Sequence, residues 1–145
     1  MSSYYDNELV LYMELLEIKD VTIFSQTNSI VELMMKNFHF KNGRAYFTGM
    51  KNEKYIKSSS SNISVDIISF INELIQENVL KANEKVIYVG DNLTENGYEF
   101  YLYDLLKIIP YLVDDIPQHH YFLFSDVTKL MYISFENEIF FGLCS

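Results

Sequence analysis

Residues 119–142 read HHYFLFSDVTKLMYISFENEIFFG. Three apolar runs, His120 to Phe124, Leu130 to Phe135 and Ile139 to Phe141, are separated by Ser125-Asp126 and Glu136-Asn137. Short runs of aromatic and β-branched residues bounded by turn formers favour strands, so this stretch predicts an antiparallel C-terminal meander. Upstream, Val86-Ile87-Tyr88-Val89 ends at Gly90 and reads as a buried strand. Asp91 to Gly97 (DNLTENG) follows as a turn-rich loop.

Helices are expected on either side of that strand. From Val65 to about Val79, Ile67, Ile68, Ile71, Leu74 and Ile75 make one face, with Ser64 as N-cap and Asp66 in the first turn. Tyr98 to Ile109 has helical periodicity, with Leu102, Leu105, Leu106 and Ile109 on one side, and Pro110 is expected to end it. Nearer the N-terminus, Glu8 to Lys19 reads as helix, Val21 to Phe24 as a strand and Ile30 to about Asn37 as a short helix capped by Asn28 or Ser29. Phe38 to Phe47 reads as a hairpin turning on Asn42-Gly43. Residues 51–62 (KNEKYIKSSSSN) are polar and serine-rich and read as a flexible loop. The expected fold is α/β or α+β: a single domain over residues 1–145, with a mixed sheet ending in the meander and three to four helices.

Composition bounds the function. A chain of 145 residues that is 49% hydrophobic and 16% aromatic needs no metal or disulfide to hold a core. The single cysteine, Cys144, rules out an internal disulfide framework, and the first seventeen residues carry Asp6, Glu8, Glu14 and Glu17 but no base, unlike a secretory leader. A cytoplasmic protein with no membrane partner is expected. At a formal charge of −9 the chain is a poor direct ligand for nucleic acid.

Motifs for catalysis are missing: no phosphate loop, dinucleotide fingerprint, G-x-S-x-G or H-E-x-x-H. Gly90-Asp91 resembles the end of a nucleotide-fold strand, but none of the glycines that phosphate approach needs follow it. His119 and His120 are adjacent and would point to opposite faces of a strand, so they do not converge on one metal. Arg44 is the only arginine. No enzyme activity, cofactor or metal is therefore expected.

Charge is unevenly distributed. Residues 1–90 hold eleven acids and nine bases, whereas residues 91–145 hold nine acids and two bases. Residues 36–57 run the other way, with six bases against Glu53 alone. The acidic part also carries aromatics: on the expected 98–109 helix, Glu99, Phe100, Tyr103 and Asp104 lie away from the apolar stripe. Aromatics beside carboxylates resemble a recognition surface, although a helix covered on both sides would instead bury Phe100. The expected partner-binding set is Asp91, Glu95, Glu99, Phe100, Tyr103, Asp104, Asp114, Asp115 and Asp126.

A small acidic α/β chain without catalytic motifs, ending in this aromatic hairpin region, looks like the immunity proteins of bacterial polymorphic toxin and contact-dependent growth inhibition systems. The resemblance covers the C-terminal third and the general composition. It implies a cytoplasmic protein that binds a cognate toxin domain, often a basic nuclease, and blocks its active site. No functional residue carries over by motif. Two other readings stand beside it: an acidic nucleic-acid mimic acting on another DNA- or RNA-binding protein, and a small ligand-binding domain or enzyme.

Overall fold

Ser3 opens the chain's first helix. Its hydroxyl accepts from the Asp6 amide at 3.1 Å while Asp6 reaches back to the Ser3 amide, a reciprocal capping box. The computed structural model describes residues 3–59, 61–124 and 126–144. Helix α1 (Tyr4–Leu15) thus begins four residues before the expected Glu8. It stops where Glu17 takes φ +59 and the Ile18 and Glu17 amides close on the Met13 and Glu14 carbonyls.

The other elements follow as β1 (Thr22–Phe24), α2 (Asn28–Asn37), β2 (Phe40–Lys41), β3 (Arg44–Ala45), β4 (Lys51–Lys57), α3 (Ile63–Gln76), β5 (Lys85–Gly90), β6 (Gly97–Tyr101), α4 (Leu102–Asp115), β7 (His120–Phe124), β8 (Lys129–Ile133) and β9 (Glu138–Leu143). Seven strands form one sheet in the order β1-β6-β5-β7-β8-β9-β4, and β2-β3 is a separate hairpin. Every pairing is antiparallel, so of the two expected classes the fold is α+β. The meander is present as β7-β8-β9; Ser125, half of its first reversal, lies outside the described residues.

Both faces of the sheet are covered, which is why its central strands read as unbroken apolar runs. Val86, Tyr88, Phe122 and Phe124 pack with α1, α3 and α4, while Val89, Tyr121, Leu123 and Tyr132 pack with α2 and the 38–50 segment.

Three expectations are corrected. Residues 98–101 are the end of a strand, because Tyr98 and Phe100 alternate with Glu99 and Tyr101 and pair with Tyr88 and Val86. The helix starts later, at Leu102, and runs through Pro110 to Asp115, since the buried stripe of Leu105, Ile108, Ile109 and Leu112 outweighs one missing backbone bond. Residues 51–57 of the expected loop are strand β4, paired with β9 through Lys54↔Phe141 to Lys57↔Glu138. Its alternation is masked in sequence because only Lys54 and Ile56 turn inward, and Lys54 is held by Glu73 at 2.7 Å. Helix α3 is capped at Asn62 rather than Ser64, without a side-chain cap bond.

A candidate docking face and the network behind it

Helices α1 and α4 pack together on one face of the sheet. Between them the Tyr12 and Tyr111 rings stack at 5.0 Å, and Tyr4 meets Tyr5 edge to face at 5.3 Å. Burial, then the Glu8 and Asp115 carboxylates, push the Tyr111 hydroxyl up to about 12, with Tyr4 and Tyr5 also close. The outward side of α1 is apolar: Tyr4 is 69%, Leu11 53% and Leu15 82% exposed, positions that share one helical face. Helix α1 holds Asp6, Glu8 and Glu14 and no base, and the exposed end of α4 carries Asp114 and Asp115. Large exposed apolar side chains set among tyrosines and carboxylates have the composition of a protein-recognition patch.

The expected site residues do not form one surface. The α4 helix spans about 20 Å and separates them into two groups. Asp91, Glu95, Asp114 and Asp115 are exposed at the end of the sheet where β5 finishes and β7 starts, beside Tyr4 and Glu8. Tyr103, Asp104 and Asp126 lie at the other end. There Tyr103 stacks on Tyr101 at 5.0 Å, Asp126 pairs with Lys129 at 3.2 Å, and Asp104 is only 6% exposed beside Lys107. Phe100 is fully buried in the core under the helices, because residue 100 sits on the inward side of β6; it is no surface anchor. Glu99, on the opposite side of the same strand, is half-buried. Asp104 and Phe100 therefore leave the candidate set, and Glu8, Tyr4, Leu11, Leu15 and Tyr111 enter it.

A buried polar network supports this end of the molecule. Asp6 is fully buried. Its Oδ2 accepts from the Glu95 amide at 2.7 Å and from Ser3, and its Oδ1 from the Asn96 amide at 3.2 Å and the Tyr98 hydroxyl at 2.5 Å. Burial pushes this carboxyl up, yet the bonds from Glu95, Ser3 and Tyr98 together hold it below the ordinary aspartate range. Gln118 does the same for the preceding amides: its Oε1 accepts from Asn92 at 3.1 Å, Leu93 at 2.6 Å and Thr94 at 3.4 Å. Its amide nitrogen donates to the hydroxyls of Thr94 and Tyr88, each at 2.9 Å. Tyr88 in turn donates to His120 Nδ1 at 2.7 Å. With its other ring nitrogen on the Ile116 carbonyl, His120 is neutral, and burial lowers it to about 3.

The loop after Gly90 thus offers no phosphate cradle, since the amides of residues 92–96 are taken up by Gln118 and Asp6. Gly90 instead makes room for the Gln118 side chain, because a Cβ there would lie 1.9 Å from its Nε2. Among the described residues no cluster of three potential metal ligands is present. His119 and His120 do point apart: His119 bonds Tyr132 on one face and His120 bonds Tyr88 on the other. No helix among the described residues is long and apolar enough to cross a membrane. Comparison with family models, with curated proteins and with solved structures finds no match to this chain.

Proposed function

We propose that this chain is an immunity protein of the polymorphic-toxin type, which binds a cognate toxin domain with a basic surface and neutralises it by covering the active site or substrate surface. The observation that carries this reading is the α1–α4 face, where exposed Tyr4, Leu11 and Leu15 adjoin Glu8, Asp114 and Asp115. Apolar side chains supply contact area that stabilises a complex, and carboxylates steer a cationic partner toward it. A basic nuclease fits, because its nucleic-acid groove must be positive. The protein then works in the cytoplasm, by binding rather than by chemistry of its own. The two buried titratable groups, Asp6 and His120, support that, since both are engaged in holding the 91–96 loop.

The test is protection in cells. Co-expression with the toxin domain encoded by the neighbouring gene should restore growth, and Leu11→Asp together with Leu15→Asp should abolish protection while leaving thermal stability near wild type. Undiminished protection by that variant would remove the α1–α4 face from the interface. Protection against many unrelated DNA-binding proteins would favour a nucleic-acid mimic instead.

A further inference from the structure

Strand β4 ends the sheet: β9 pairs with one side of it, and its other side has no strand partner among the described residues. The Ser58 amide donates to the Asn137 carbonyl, continuing the β4–β9 ladder by one residue. In an antiparallel ladder alternate residues bond to the same neighbour, so Ile56 and Lys54 turn their amides to β9, and Tyr55 and Lys57 turn theirs outward.

Beside this free edge lies a groove of about 470 Å³ between β4 and the 45–48 segment, floored by Phe47, Tyr55 and Phe140. The aromatic floor is ordered: Tyr55 and Phe140 lie 4.9 Å apart, Phe140 and Phe47 5.3 Å, and Phe140 and Tyr132 5.5 Å. Tyr46 and Tyr55, on its two walls, are large exposed aromatics.

Charge distinguishes this region from the rest of an acidic chain. Of its lysines, Lys54 is paired with Glu73 and Glu77, and Lys41 lies over the Tyr46 ring. Lys51 and Lys57, at the two ends of β4, are exposed and make no ion pair among the described residues. Edge lysines discourage a sheet from pairing with its own copy. That role accounts for the charges but not for an aromatic groove along the same strand.

We infer that β4 is a docking edge for an extended, acidic segment of a partner protein, which adds as a strand along Tyr55 and Lys57. Main-chain bonds to the outward amides hold such a segment, the groove takes its alternate apolar side chains, and Lys51 and Lys57 meet its carboxylates. This surface lies across the sheet from the α1–α4 face and takes a partner of opposite charge, so it stands whether or not the toxin reading does.

The experiment titrates a capped peptide of alternating Glu and Val into the ¹⁵N-labelled full chain, beside its Lys–Val counterpart and an oligothymidylate. The acidic peptide should shift the Tyr55 and Lys57 amides and protect them from hydrogen exchange. Lys51→Glu with Lys57→Glu should weaken it about tenfold, with the remaining amide spectrum native, and Glu8→Lys with Asp115→Lys should leave it unchanged. Equal binding of both peptides, binding of neither, preference for the oligothymidylate, or a concentration-dependent dimer through β4 would each overturn the inference.

Discussion

Asp6 is one residue in a terminal helix, yet it ties that helix to a loop some ninety positions away. Replacing it with Ala would leave the Glu95 and Asn96 amides and the Tyr98 hydroxyl without their acceptor in a buried site. The expected cost is about 3 kcal/mol, read by urea denaturation, and Asp6→Asn, which keeps one acceptor oxygen, should cost about half as much. A loss under about 0.5 kcal/mol for Asp6→Ala would mean that the loop is held by other bonds. His120 adds a pH dependence of definite sign. Folded, it takes a proton only near pH 3, whereas the unfolded chain does so near 6.5. Between these values the unfolded state binds more protons, so stability is full above 6.5 and falls as pH drops, by up to about 1.4 kcal/mol per pH unit. Asp6, held below the ordinary aspartate value, adds loss in the same direction at lower pH. Denaturation midpoints should therefore fall between pH about 6.5 and about 4.5, and His120→Asn should flatten that slope. A flat wild-type profile would contradict a buried neutral imidazole. Neither residue stands out in the sequence as functional, although Ser3-x-x-Asp6 has the spacing of a capping box. What sequence does not reveal is that the same carboxylate also serves a distant loop, because such bonds depend on tertiary position.

At the scale of elements, legibility follows burial. The meander, the Val86–Val89 strand and the α3 helix are readable because each has an uninterrupted apolar period. The Tyr98–Tyr101 strand is not: Tyr98, Leu102, Leu105 and Ile109 satisfy a helical spacing across a strand–helix junction that has no Gly, Pro or polar break. Strand β4 is hidden for another reason. It is an edge strand whose charged, exposed residues look like a loop until β9 is laid beside it. Its pairing makes a sharp prediction. Ile56→Pro removes an amide that bonds β9 and should cost about 3 kcal/mol, whereas Tyr55→Pro removes an outward amide and should cost clearly less. The reverse order, measured by thermal or urea melts, would show that the outward and inward residues have been interchanged.

Across the whole molecule, charge and apolar exposure divide between two surfaces. Acids and tyrosines meet on α1 and α4, while exposed lysines and an aromatic groove flank β4 on the other side. Counting charges along the chain locates the acidic excess after residue 91 but not its shape. Half of the docking face comes from α1, where the run without bases argues in sequence only against a leader peptide. Asp114 and Asp115 belong to this surface, whereas Phe100 and Asp104 do not, because the strand–helix junction at residues 101–102 turns both of them inward. The central claim, that the α1–α4 face meets a basic partner, is tested most directly by stopped-flow association with the purified cognate toxin domain over a range of salt. Glu8→Lys with Asp115→Lys changes four charge units on this face while touching no buried carboxylate. The account predicts association slowed at least about tenfold at low salt, a flattened salt dependence and an unchanged thermal midpoint. Unaltered association in that variant, with binding lost instead in Lys51→Glu with Lys57→Glu, would contradict it and move the docking site to the opposite side of the sheet.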